Sequence, residues 1–392
     1  MTDEAAAGQA WLKLALLIGA TLLGLMGTDL VLPAVPSLPA SLGGNAASAQ
    51  LVLAAYVSGT CAGLLAYGAL GDRFSTRALI VASLLLTGAT SFACAAAPSI
   101  EALIGLRALQ GAVAAGPAVF AAPVVRALFD ERRAVRAIGM VGSIESLAPA
   151  LAPILGVWLL ALGGWRLSFE LIGALALLLA ALNLAFPLVP QASRRAEGRY
   201  GALVSDPVFL RYALSQAFVL GGLLVFVFGA PAVLVHGFGG DLTDFIWMQV
   251  CGIAAFILCA NLSGGLAARV GAERLILAGT FIAALGAAAM SAYALAGGRS
   301  AFWVTVLFVP VGIGLGLRGP AGFYRAVVAA KGDDARGSAL VILAIMAAAA
   351  LGTAAVAPFI DRGLVPLALA ALALELAALA CLALPRLPEA DA

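Results

Sequence analysis

The sequence predicts an all-α membrane protein: twelve transmembrane helices arranged as two six-helix, pseudo-symmetric bundles. Three observations carry this expectation. Of the 392 residues, 63% are apolar and only 11% charged, against about 25% charged in an average soluble domain. The apolar residues gather into twelve runs of about 20, the length a helix needs to cross the hydrocarbon of a bilayer. The two halves of the chain also share short motifs in the same order.

So little charge cannot coat a soluble protein. The composition excludes a soluble enzyme, a nucleic-acid binder and a disordered scaffold. The net charge of +2 implies neither an acidic nor a basic partner. Cys61, Cys94, Cys251, Cys259 and Cys381 all lie inside apolar runs, form no CxxC pair, and have only His236 for company. They read as small buried hydrophobes rather than as a metal site or a disulfide framework. No metal and no cofactor is expected.

The first six runs fall at about 13–33, 49–70, 78–97, 100–123, 137–160 and 167–187. The polar stretch PQASRRAEGRYGALVSDP follows, and six more runs come at about 208–235, 244–266, 275–297, 301–323, 338–360 and 364–385. The expected organisation is therefore an N-terminal bundle over 1–189, a cytoplasmic linker over 190–207 and a C-terminal bundle over 208–392. Lipid offers no hydrogen bonds, so each run must close its own backbone bonds as a helix. The roughly ten-residue alternating segments of a membrane barrel are absent. The acidic start MTDEAAAGQAWLK and the long run behind it lead us to expect no cleavable leader.

Seventeen of the 22 basic residues fall in loops on one side of these spans and three, Arg166, Arg299 and Arg362, on the other; Arg107 and Arg318 lie inside spans. Positive charge is retained on the cytoplasmic side. Both termini are expected in the cytoplasm of a bacterial cell, in a multi-pass protein of its inner membrane. Trp165 and Trp303 then fall near the outer surface and Trp11 near the inner one.

The repeat has three parts. GALG at 68–71 matches GGLA at 264–267. GPAVF, ending at Phe120, matches GPAGF, ending at Phe323, and each is preceded five residues earlier by a glycine, Gly111 or Gly314. Pro33-Ala34-Val35 matches Pro231-Ala232-Val233. Two like-oriented halves are one of the repeat types of secondary transporters, which place a substrate cavity between halves near the midplane.

At this point the sequence resembles the major facilitator superfamily over nearly its whole length. The loop after span 2 of that family reads G-x-L-A-D-R-x-G-R-[RK]-x-x-[LI]; here Gly68, Leu70, Asp72, Arg73, Arg77 and Ile80 match, with Ser75 in place of a glycine and Thr76 in place of an arginine. The second half has Ala268 where the acid would stand. Within the superfamily, the chain is most similar to 12-span drug:proton antiporters of the Bcr/CflA or chloramphenicol-exporter type. Thr28-Asp29-Leu30-Val31-Leu32-Pro33-Ala34-Val35-Pro36 resembles the end of their span 1, and Leu106-Arg107-Ala108-Leu109-Gln110-Gly111 their L-R-x-x-Q-G. Residues 148–156 approximate the antiporter signature through Pro149, Pro153 and Gly156, with Ala148 and Ala152 where glycine is usual.

The resemblance implies roles for particular residues. Gly68, Asp72, Arg73 and Arg77 would form a conformational latch rather than a substrate site, or else simple turn chemistry. Asp29, Arg107 and Glu145 would handle the proton. A charge at the bilayer centre costs ~2.5–3.5 kcal/mol on insertion scales, so ionisable residues inside spans point to function. Asp29 and Arg107 fall at similar depth, where the arginine favours the ionised carboxyl and burial the neutral one. The structural alternatives are that Arg107 clamps backbone carbonyls and Asp29 caps span 1. Glu145, without a basic neighbour in sequence, is a candidate selector for lipophilic cations or a protonated helix residue. Candidate cavity residues are Tyr56, Gln110, Phe120, Phe226, Phe228 and Met346. Arg318 reads as structural, and Glu375, mid-way along span 12, has no partner in sequence.

The function expected from all this is proton-coupled efflux. An antiporter would export amphipathic small molecules or drugs by alternating access, with H⁺ as coupling ion, as a monomer in the lipid bilayer and without contact to nucleic acid. No GxxxxGK[ST] is present to bind ATP, and no clustered nucleophile, base or metal set marks an enzyme. The alternatives are an exporter of a native metabolite such as a sugar, amino acid or siderophore, and a proton-coupled importer, against which the antiporter-like span 5 argues. An integral-membrane enzyme or a signalling scaffold is the remaining class.

Overall fold

The computed structural model describes residues 3–71, 73–129, 137, 141, 144–145, 148–186, 200–331 and 334–387. Among these residues there is no strand. Eleven helices are long and apolar enough to cross a membrane, and a shorter apolar helix, Leu151–Gly163, stands at the place of the fifth run. This is the architecture of a multi-pass α-helical membrane protein.

The chain divides into two compact units: residues 1–44 with 55–196, and residues 45–54 with 197–392. In the first, α1 (Asp3–Asp29) leads through a 3₁₀ turn, Leu32–Ser37, into the short helix Leu38–Leu42. Pro33 and Pro36 remove backbone donors there, which is why the α-helix does not continue. Helix α2 (Ala46–Leu70) is divided, its residues up to 54 grouping with the second unit and the rest with the first, which continues with α3 (Thr76–Ala95), α4 (Ile100–Ala114), α5 (Gly116–Leu128), α6 (Ala148–Gly163) and α7 (Trp165–Ala185). Helix α3 packs on α4 and α7, and α1 packs on α4, α5, α6 and α7.

Side-chain caps start several of these helices. Ser75 lies in extended backbone and its Oγ accepts from the Ala78 N–H at 3.2 Å. A serine in place of the motif's glycine therefore supplies an N-cap to α3. Ser99 does the same for α4 through Ala102.

Small residues let main chains touch. A β-carbon on Gly59, Gly63 or Gly111 would fall within 3.0 Å of backbone atoms of Ala108, Ala112 and Tyr56 respectively, so α2 and α4 meet with no side chain between them.

The second unit holds α8 (Pro207–Ala232), α9 (Leu242–Val270), α10 (Ala272–Leu295), α11 (Ala301–Val328), α12 (Asp334–Val356) and α13 (Leu364–Cys381). Helix α11 packs on α9 and α10, while α8 packs on α12 and α13. Its core gathers Phe209, Tyr212, Ile276, Val341 and Ile345, with Met346 packed against it. Arg211 donates to the Leu384 carbonyl at 2.7 Å and pairs with Glu273 at 2.9 Å. Asp206 caps α8 by accepting from Val208 N–H at 2.9 Å, and its other oxygen meets Lys331 Nζ at 2.7 Å.

The three indoles expected near the membrane surfaces differ in exposure. Trp303 and Trp11 are exposed, but Trp165 is 4% exposed, packed edge-on against Phe169 with Arg166 over its ring at 4.3 Å. Its indole packs within the protein at the start of α7.

Candidate functional site

Arg107 is the centre of the first unit's polar interior. It lies seven residues into α4, about 10 Å from the helix start by helical rise, and is 0% exposed. Its Nη1 donates to Gln110 Oε1 at 2.6 Å, one turn away on the same face. Gln110 Nε2 in turn donates to Ser91 Oγ at 2.7 Å, and Ser91 Oγ–H to the Thr87 carbonyl at 2.6 Å. Cys94 directs its Sγ to the same Gln110 oxygen at 3.7 Å. Helix α3 thus fixes the glutamine, and the glutamine fixes the arginine.

The guanidinium lies over the Tyr56 ring, 4.0 Å from its centroid, with Phe169 at 5.6 Å. Tyr56 is itself pinned, since its hydroxyl donates to the Gly24 carbonyl of α1 at 2.7 Å. Arg107 Nε and Nη2 are buried without a hydrogen-bond partner. A buried donor left unmade costs roughly 1–3 kcal/mol, more when charged. These groups are ready to receive an acceptor.

Asp29 is the last residue of α1 and half-buried. Helices α1 and α4 are neighbours, and the Arg107 guanidinium donates to Gln110 of its own helix. The charges of Asp29 and Arg107 both reach Tyr56. The ring is what the acid and the base have in common.

Glu145 is half-buried, with its carboxylate in hydrogen-bonding reach of Thr21 on α1. Thr21 precedes Asp29 by eight residues, about 12 Å along the helix. The two acids therefore address α1 at different levels.

Of the antiporter residues, Gly156 meets the end of α1. Pro149 is half-buried and Pro153 buried within α6. Gly156 faces Leu30, where a β-carbon would fall within 3.0 Å of the carbonyl oxygen. Ser168 of α7 also points its Oγ at that oxygen, at 3.4 Å. Leu30 follows Asp29 directly, so α6 and α7 set the position of the acid's backbone.

Of the latch residues, Gly68 is exposed with open space around it, and Arg73 is exposed. Arg77 Nη2 donates to the Leu184 carbonyl at 3.0 Å, meeting a free acceptor in the last turn of α7. Asp72 lies outside the described residues.

The remaining cavity candidates are placed within their own units. Phe120 packs edge-on with Tyr67, ring centroids 6.4 Å apart. Phe226 stacks on Phe308 at 5.5 Å in the second unit, Phe228 is buried in α8, and Met346 packs on that unit's core. Ser91, Cys94 and Phe169 were missed in the sequence. Ser91 and Cys94 stand three apart on α3, one polar face within an apolar run, and that is the signal that could have found them.

A membrane bundle of α-helices with a buried guanidinium in one span and a carboxyl at the end of another defines a class: polytopic membrane proteins that keep ionisable groups inside their spans. The chain belongs to the Major Facilitator Superfamily, whose sequence pattern matches residues 17–355. Among curated relatives, an uncharacterised MFS-type transporter of Bacillus subtilis, YdgK, is 32% identical over 59% of this chain and 60% of its own length. A chloramphenicol resistance protein of Pseudomonas aeruginosa is 31% identical over 62% of this chain and 59% of its own. The multidrug transporter MdfA of Edwardsiella ictaluri is 27% identical over 76% and 75%. The chain thus spans about 60% of the length of the first two. The names of the second and third, chloramphenicol resistance and multidrug transport, are consistent with the drug-exporter resemblance read from the motifs.

Proposed function

We propose that this protein is a proton-coupled efflux transporter that exports amphipathic small molecules across the bacterial inner membrane by alternating access. The observation that carries the reading is Arg107: fully buried, stacked on Tyr56, with two nitrogens unpartnered and the charge of Asp29 acting on the same ring. A site holding both a carboxyl and an unsatisfied guanidinium responds to a proton or a cargo group by exchanging partners. When Asp29 takes a proton, its pull on the tyrosine–arginine pair weakens. When it loses the proton, the open donors gain an acceptor within the same bundle. Protons moving inward down their gradient supply the drive, about 2.3 kcal/mol per charge per 100 mV. Glu145 acts one level away, as a selector for cationic cargo. H⁺ is the coupling ion, and the chain needs no resident cofactor. Relatives named for chloramphenicol resistance and multidrug transport support drugs as cargo.

The test is flux into inside-out vesicles under an imposed pH gradient, with a phenicol and a lipophilic cation as probes. Gradient-dependent accumulation of either is expected. Accumulation of a sugar, amino acid or siderophore instead would reassign the cargo, and no gradient-dependent flux of any of them would defeat the reading.

A further inference from the structure

Glu375 lies mid-way along α13 and is 1% exposed, and neither carboxyl oxygen has a hydrogen-bond partner. It lines a pocket of about 10 Å³ with Gly222, Phe226, Met290 and Phe308, room for about one water. Gly222 keeps that room open, since a β-carbon there would stand 3.6 Å from Glu375 Oε1 and 3.3 Å from the Ala371 carbonyl oxygen.

The other elements packed on α13 carry charged groups elsewhere. Arg211, Tyr212 and Glu273 bind one another at one end of the unit. Arg274 and Tyr293 stand near the two ends of α10, Arg336 near the start of α12, and Asp361 and Arg362 in the 3₁₀ turn before α13. Arg318 of α11 is the group whose charge reaches Glu375. It is 0% exposed, donates Nη1 and Nη2 to the Ser215 carbonyl at 2.7 Å and hydroxyl at 3.1 Å, and leaves Nε unpartnered.

A carboxylate buried without hydrogen bonds is among the most costly groups in a protein interior, whereas a neutral carboxyl there asks for a single acceptor. The pocket has room for one water at most, and a water bound there to Glu375 would be that acceptor. We propose that Glu375 is a proton-binding site of the C-terminal unit, with the pocket holding the water that exchanges the proton and Arg318 as the counter-charge of the ionised state. A hydronium entering the pocket leaves its proton on a carboxylate oxygen and stays as water; the reverse step returns it. The site is complete within one unit and stands whether or not Asp29 couples protons to cargo.

Difference infrared spectroscopy between acidic and alkaline buffer tests this on the purified full chain in lipid, with no transported compound. The readout is the C=O stretch of a protonated carboxylic acid in apolar surroundings. Glu375→Gln is expected to lose one such band in full, Glu375→Asp to shift it, and Asp29→Asn to leave it in place. An unchanged set of bands in Glu375→Gln overturns the proposal. If the Gln variant is not recovered folded, the Asp variant decides: a shifted band supports the site and an unshifted spectrum overturns it. Loss of flux in Asp29→Asn with the Glu375 band intact concerns the efflux reading alone.

Discussion

Arg107 lies 4.0 Å from the centroid of the Tyr56 ring and uses that face, not a carboxylate, as its nearest counter-charge. A desolvated cation–π contact contributes on the order of 2 kcal/mol. It holds the guanidinium without occupying its N–H groups, which is how a buried arginine can be fixed in place and still have donors to offer.

Arg107→Lys should therefore fail although the charge is kept. An ammonium lacks the planar fork that both stacks on Tyr56 and reaches Gln110. Tyr56→Phe keeps the ring and gives up one bond to Gly24, so about 0.5–1.5 kcal/mol of stability is expected to go while flux persists. Tyr56→Leu removes the ring and is expected to abolish gradient-driven flux. Vesicle flux read beside thermal unfolding separates the three.

Asp29→Asn should abolish proton-driven efflux in a protein that still folds, and undiminished efflux would remove Asp29 from the mechanism. Glu145→Gln should weaken efflux of cationic drugs more than of neutral ones. An equal fall for both classes would make Glu145 a coupling residue. Both follow from the same assay run with a charged and an uncharged probe.

Gly156→Ala should destabilise the N-terminal unit by about 1–3 kcal/mol, the usual cost of overpacking. The added carbon strikes the Leu30 carbonyl, which is main chain and cannot rotate aside. Gly68→Ala is the contrast. Open space surrounds it, so no loss of thermal stability is expected, and any loss of flux there would report on the latch.

Asp206 lies outside the spans. The hydrogen bond from Lys331 first, and then the Val208 N–H, hold its carboxyl below the usual range. A depressed folded value means its stabilisation is present above the unfolded value of about 3.9 and fades as pH falls through the folded one. Asp206→Ala should cost about 0.5–2 kcal/mol as a lost cap at pH 7 and less once the pH has fallen below the folded value. Lys331→Ala removes only an exposed pair and should cost under about 1 kcal/mol. Thermal melts at both pH values check this.

Much of the fold was legible because lipid enforces it. Runs of about 20 apolar residues must be helices there, and the observed spans, such as Ala46–Leu70 and Thr76–Ala95, lie close to those read from charge and proline. The site was legible in its ionisable members, because a charge within a span is rare enough to be noticed singly. Its neighbours were not. Ser91, Cys94 and Phe169 come to Arg107 from two other helices, and nothing in a local pattern encodes that meeting. Glu375 had no visible partner for the same reason: Arg318 lies 57 positions earlier in the chain. Ser75 departs from the family's glycine, and only its backbone geometry reveals why a hydroxyl serves there.

The crossing of α2 and α4 at Gly59, Gly63 and Gly111 has a mechanical corollary. Where peptide planes rest directly on α-carbons, sliding one helix by a single residue, about 1.5 Å, would carry the side chains beside these glycines into the opposing carbonyls. The pair behaves as a weld rather than a bearing. Any flexing that re-aims Arg107 has to originate at the joints flanking it, such as the proline-broken end of α1, with the welded pair carried along as one stiff strut.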